Sequence, residues 1–241
     1  MATDRALRSG TFVADRTPRD RRLVEARGTV LRLVLAAALL WGGLCGVGYL
    51  LTHQLRGTAF ERWDASANRW LAAHRTPTWN TVTHWLTYCA ETLTVVGIGL
   101  VFFIGLRIVL GRWRESMFLA AALAGEVTIF VLTALMIDRH RPPVSHLDSA
   151  PPTSSFPSGH VAAAITLYGA LAVIAVHTGA RRWLRTLAIV VALVVPVCVA
   201  FARLYRGMHF LTDVMGGALL ALVWLSVTWT LILRSRRRVS L

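Results

Sequence analysis

The sequence predicts an all-α polytopic membrane bundle of about six spans. Three observations carry that prediction. Of the 241 residues, 55% are hydrophobic, and mean hydropathy is +0.55. The apolar residues come in runs of about 20, the length that carries a helix across the hydrocarbon layer. The arginines cluster on alternate connections between those runs.

The expected spans are Leu33–Thr52, Trp85–Leu106, Phe118–Ile137, Val161–His177, Leu187–Phe201 and Phe210–Leu233. Before the first, residues 1–28 mix Arg, Asp, Thr and Pro without an apolar period and read as a disordered basic tail. The membrane domain is expected over 29–233, with a second basic tail over 234–241. The first run starts late and is long enough to remain as a span, so no cleaved leader is expected.

All 26 basic residues are Arg, and the formal net charge is +14. Seven Arg lie in the first 28 residues, and Arg32 borders the first span. Arg107, Arg112 and Arg114 follow the second. Arg181, Arg182 and Arg185 follow the fourth. Arg234, Arg236, Arg237 and Arg238 follow the sixth. The positive-inside rule then places both termini in the cytoplasm. A nucleic-acid partner would have no use for six apolar runs, so the expected partners are the bilayer and a lipid substrate. The pattern leaves a homo-oligomer open. Cys45, Cys89 and Cys198 have unrelated spacings and no Cys/His metal pattern, and read as small packing residues.

Residues 53–80 form the first outer segment. Phe60, Trp63, Ala67, Trp70 and Leu71 recur at helical spacing, with Glu61, Arg62, Asp64 and Arg69 between them. This predicts an amphipathic helix, either lying in the interface or packed on the outer ends of the spans, and ended by Pro77. Trp79 and Trp85 suit the headgroup region.

The other two outer segments, 138–160 and 202–209, hold Arg and His that topology does not require. Arg141 precedes two prolines, and a guanidinium binds two phosphate oxygens at once. Phe156-Pro157-Ser158-Gly159-His160 ends where an apolar run begins, so Ser158 and Gly159 open a helix whose free N–H groups suit an anion. Taken alone, a plain Ser N-cap with Pro before it is the better reading of that segment. His209 and Asp213 are four apart at the start of the last span, on one helix face. A carboxylate there would fix the imidazole tautomer and leave the other nitrogen free to attack. Alone, such a pair is also a common local hydrogen bond. Arg203 lies just before.

Together these residues resemble the type 2 phosphatidic acid phosphatase superfamily, which includes vanadium haloperoxidases and bacterial acid phosphatases. The resemblance covers roughly residues 80–233. Pro157-Ser158-Gly159-His160 is intact. Ala202-Arg203, five residues, His209, three residues and Asp213 lacks only the leading Ser. Arg141-Pro142 is kept, with Ala134 where the family has Lys. The resemblance implies a metal-independent, cofactor-free lipid phosphatase with an extracytoplasmic site. His209 would form a phosphohistidine, Asp213 would orient it, and His160 would protonate the leaving group. Arg141, Ser158, Gly159 and Arg203 would bind the phosphoryl oxygens. Arg139 would either replace the missing Lys or snorkel to the interface.

The implied substrates are a polyprenyl diphosphate such as undecaprenyl diphosphate, or a glycerolipid phosphate such as phosphatidic acid or phosphatidylglycerol phosphate. A phospholipid headgroup transferase and a non-catalytic phospholipid-binding membrane protein are the alternatives. Glu91 and Glu126 fall in or beside apolar runs, and a structural hydrogen bond to a neighbouring Thr or His is expected for them. His140, His146 and Arg206 flank the site motifs without an assigned role.

Overall fold

The computed structural model describes residues 18–149 and 153–234. Its helices are α1 (Pro18–Tyr49), α2 (Ala59–Asp64), α3 (Ser66–Ala73), α4 (Pro77–Tyr88), α5 (Thr92–Leu110), α6 (Arg114–Met136), α7 (Gly159–His177), α8 (Arg182–Tyr205) and α9 (Leu211–Thr228). Short π-helical turns, Leu50–Gln54 and Trp229–Arg234, extend α1 and α9. No strand occurs among the described residues. Among the described residues six stretches are long and apolar enough to cross a membrane: Leu23–Gln54, Thr92–Leu110, Arg114–Met136, Gly159–His177, Arg182–Tyr205 and Leu211–Arg234. The protein is an all-helical, multi-pass membrane protein.

Two boundaries differ from expectation. The first helix starts at Pro18, so the part of the expected tail from Pro18 on is helical. Gly28 is its one weak helix former between Pro18 and the apolar run, and one Gly costs only about 1 kcal/mol. Residues 1–17 and 235–241, which carry the rest of the two expected tails, lie outside the described residues.

The second span begins at Thr92 rather than Trp85. Residues 85–88 belong to α4, which starts at Pro77, while the preceding helix α3 ends at Ala73, ahead of that proline. Thr76 caps α4 by accepting a hydrogen bond from the Trp79 N–H at 3.2 Å. A turn at Cys89–Glu91 separates the two helices. That turn holds neither Gly nor Pro, so hydropathy runs straight through it.

At the centre of the bundle α7 packs on α6, α8 and α9. Phe118, Leu119 and Ala122 of α6 meet Leu167, Ala170 and Ile174 of α7 and Leu225 of α9. Nearer the site end, Leu44 and Leu51 join Ile129, Phe156, Ala162, Leu220 and Trp224. Lipid tails are as apolar as these side chains, so close packing rather than water exclusion joins the helices, and small residues are favoured at the contacts. Gly217 shows this directly. A Cβ there would lie 2.4 Å from the Ser158 carbonyl oxygen, so only glycine lets α9 touch the start of α7.

The short helices α2 and α3 are built inside out. Phe60, Trp63 and Trp70 face outward, while Asp64 and Asn68 are fully buried. Trp79 and Trp85 of α4 are also exposed. The pair packs on the ends of the spans, α3 against α8, and also presents an exposed aromatic face.

Candidate active site

One end of the bundle gathers the residues singled out from sequence. The ends of α6 and α8 and the starts of α7 and α9 meet there, under α2–α3 and the segment 137–158. His209 lies in the turn between α8 and α9 and is buried. Gly207, in the same turn, has φ +75° and lies against the 144–145 segment. A Cβ there would meet Val144 at 2.8 Å, so a side chain is excluded by both backbone and space.

The His209–Asp213 pair departs from expectation. α9 begins at Leu211, so His209 precedes the helix and does not share a face with Asp213. Asp213 instead accepts the Phe210 N–H at 2.8 Å as an N-terminal capping carboxylate. His209 Nδ1 is 3.8 Å from Asp213 Oδ2, beyond hydrogen-bond range, but 2.8 Å from the Ser155 carbonyl oxygen. A carbonyl only accepts, so Nδ1 carries the proton and Nε2 keeps its lone pair. The backbone of 155, rather than the carboxylate, fixes the tautomer. The backbones are joined as well, since the Ser158 N–H donates to the Asp213 carbonyl at 2.9 Å.

Burial pushes the His209 imidazolium well below the usual 6.5, and the positive charges of Arg203 and Arg141 push it further. The Ser155 hydrogen bond opposes this without reversing it. His209 is therefore a neutral imidazole at pH 7, the form that can attack phosphorus.

Ser158 occupies the N-cap position of α7 without a side-chain capping bond, and its buried Oγ has no hydrogen-bond partner. Gly159 is the first helical residue, and a Cβ there would strike the Phe130 ring at 2.7 Å. Its missing side chain is thus required by packing from behind. Arg203 is buried, with one Nη on Asp148 at 3.0 Å and its Nε without a partner. Arg141 is half-buried, donates to the Met208 carbonyl at 2.7 Å, and has its guanidinium pKa lowered, by burial first and against the pull of Asp213. His160, Arg203 and Arg141 all lie within electrostatic reach of His209.

Arg139 is not turned to a phosphate. It is buried, with one terminal nitrogen on Asp213 and Thr212 and the other on Asp64 at 2.8 Å, and its guanidinium lies over the Phe210 ring at 4.4 Å. Two buried carboxylates outcompete both the substitute role and snorkelling. Ala134 is half-buried in the last turn of α6.

Arg206 is tied down by Asp148, the Asn80 and Leu147 carbonyls and Thr83 Oγ1. Burial raises the Asp148 pKa, but hydrogen bonds from Arg206 and the charges of Arg203, Arg206 and His84 outweigh it and hold the carboxyl below its usual 3.8. His140 pairs with Glu61 at 2.8 Å, and His146 contacts the Pro142 carbonyl at 3.2 Å. Glu126 is buried in α6, and among the described residues the expected hydrogen bond to a neighbouring helix is not made. Glu91 stands at the N-cap of α5 without a side-chain capping bond. Among the described residues no group of three or more His, Cys, Asp or Glu is arranged to hold a metal ion.

Sequence reasoning missed Asp64, Asn68 and Asp148. A signal existed for the first two: they are four apart, and they interrupt an aromatic period with uncharacteristically short polar side chains. Asp148 stood in a Ser/Pro-rich loop with nothing to single it out.

The model of the PAP2 superfamily matches residues 115–237, just over half of the chain and all of the α7–α9 site elements. The chain belongs to the PAP2 superfamily. Phosphatidylglycerophosphatase B of Bacillus subtilis (strain 168) is 37% identical over 91 residues. That segment is 36% of this chain and spans 43% of the relative's length. A transmembrane PAP2-type phosphatidylglycerolphosphate phosphatase from Bacillus subtilis, solved by crystallography, shares the fold with a TM-score of 0.68 at 22% identity. The similarity covers 84% of this PAP2 chain and 97% of that one.

Proposed function

We propose that the protein is a lipid phosphatase that removes a terminal phosphate through a phosphohistidine. The observation that carries this reading is a pair of buried donors without partners, Ser158 Oγ and Arg203 Nε. Buried polar atoms are nearly always satisfied. Both belong to residues read as phosphate ligands, and the neutral His209 is within electrostatic reach of Arg203.

The chemistry follows from the donors available. The phosphoryl oxygens bind Arg141, Arg203, Ser158 and the N–H groups opening α7. His209 Nε2 attacks phosphorus as the bond to the lipid oxygen breaks, and His160 gives that oxygen its proton. His160 then takes a proton from water, the water oxygen attacks phosphorus, and the N–P bond breaks to release phosphate.

The substrate we favour is a glycerolipid phosphate of the phosphatidylglycerol phosphate class, because the relative carries that name. A polyprenyl diphosphate is the second reading. It is supported by the arginine asymmetry, which under the positive-inside rule favours cytoplasmic termini and an outward-facing site, the side that suits carrier-lipid recycling.

The deciding experiment is phosphate release by the purified full chain in detergent, with chelator present. The panel compares phosphatidylglycerol phosphate, phosphatidic acid and undecaprenyl diphosphate. Release from none of them sinks the hydrolase reading. Full activity in His209→Ala sinks the mechanism while leaving the reaction class intact.

A further inference from the structure

Asp64 lies 149 residues before Asp213, outside every motif that marks the site, yet it is fully buried beside it. One oxygen accepts the Thr212 N–H at 2.9 Å. The other accepts the Thr212 hydroxyl at 2.5 Å and Arg139 Nη2 at 2.8 Å. Arg139 Nη1 in turn binds Asp213. From the following helix, Asn68 donates to the carbonyls of Leu204 at 3.0 Å and His209 at 2.9 Å. α2 and α3 therefore grip both flanks of the turn that carries His209.

The charges make this more than bracing. Asp64, Arg139 and Asp213 sum to −1. Attack by His209 Nε2 leaves the ring positively charged, with its Nδ1–H still directed toward the Ser155 carbonyl and Asp213 3.8 Å away. The residual −1 matches that developing charge. Were Asp64 neutral, Arg139 would cancel Asp213, and the ring would meet only the positive charges of Arg141 and Arg203.

We propose that Asp64 is a positioning residue for the nucleophile: by sharing Arg139 with Asp213 and fixing Thr212, it holds the Asp213 charge against His209. This rests on the reading of His209 as the nucleophile. It assigns a catalytic purpose to the extramembrane pair α2–α3. Asp64 itself touches neither substrate nor the reacting atoms.

The test is steady-state kinetics of the purified full chain over a pH series, using phosphatidylglycerol phosphate and phosphatidic acid as probes. The charged and titratable groups facing His209 are Arg203 from α8, His160 from α7, Arg141 from the segment before α7 and Asp213 from α9, and behind Asp213 stand Arg139 and Asp64. Each variant changes one of them, and the substrate's own titration is common to all. Asp64→Asn is expected to lower kcat about tenfold with KM held within about twofold. Its acid limb in kcat/KM should move to lower pH, because a negative charge is lost near the imidazole. In Arg139→Gln the limb should move to higher pH, because a positive charge is lost. A merely structural role gives no such opposed pair of shifts.

Limbs that stay put or move together, or wild-type kcat in Asp64→Asn, overturn the proposal. If Asp64→Asn does not fold, Arg139→Gln decides alone: a raised limb supports the proposal and an unmoved one overturns it. Loss of the underlying reading is told apart by His209→Ala, which then stays active whatever Asp64→Asn does.

Discussion

The two ends of this bundle use the same residue for opposite ends. Away from the site, Arg181 and Arg182 are exposed, and the Arg112 side chain is 56% exposed where it pairs with Glu115. At the site end, the side chains of Arg139, Arg203 and Arg206 are 3–6% exposed, and each is bound to a buried or half-buried carboxylate. Exposed arginines set topology through their charge alone, and each specific contact is worth only about 0–1 kcal/mol. A buried guanidinium must be matched by its surroundings, and removing one partner of such a pair costs about 3–5 kcal/mol. Burial therefore separates these exposed arginines from the carboxylate-bound arginines around the proposed site, where composition does not.

Substitutions can break that contrast in order of effect. The largest loss is expected from His209→Ala, more than about 10⁴-fold in kcat. His160→Ala should follow at about 10²–10⁴-fold, as removal of a general acid. Both are read as phosphate release at saturating lipid.

Arg203→Ala should lower kcat/KM by about 10–150-fold, the equivalent of one charge-assisted contact of about 1.5–3 kcal/mol. Residual activity near wild type would mean that Asp148, rather than phosphate, is its only partner.

Asp148→Asn should act mainly on stability and its pH dependence. The folded carboxyl is held below 3.8, so its contribution is complete above pH 3.8 and is lost as pH falls through the depressed value. Thermal melting in detergent should show a flatter acid decline in the variant than in wild type.

The smallest effect belongs to the opposite end. Arg182→Gln should change kcat/KM by less than about twofold. A larger change would show that the two ends are coupled and would blur the contrast.

Much of the architecture was legible because apolar length is a one-dimensional property. Six spans could be counted along the chain, and the arginines after the second, fourth and sixth spans fall on alternate connections of the sequence. The break at Cys89–Glu91 was not legible, since a turn without Gly or Pro leaves hydropathy unchanged. The motif spacings found His160, His209, Arg141 and Arg203, and the structure brings these together.

Partner choice was another matter. A spacing of four suggested a His–Asp face, but the helix starts two residues after His209, so the imidazole went to a backbone carbonyl and the carboxylate to a cap. Arg139 was read as a phosphate ligand because its competitors, Asp64 and Asp213, are 75 and 74 residues away in sequence. Which charge wins a guanidinium is decided by proximity in space, which no linear pattern encodes.

The outward aromatic face of α2–α4 has a kinetic consequence. Phe60, Trp63, Trp70, Trp79 and Trp85 are exposed, and side chains of this kind are enriched between headgroups and tails, so the proposed site would sit at that boundary. An enzyme seated there meets its substrate by diffusion in two dimensions. Its rate should follow the mole fraction of lipid phosphate in the surrounding leaflet rather than its bulk molarity. Diluting the substrate with inert phospholipid, at constant total amount per volume, should slow turnover as effectively as removing it.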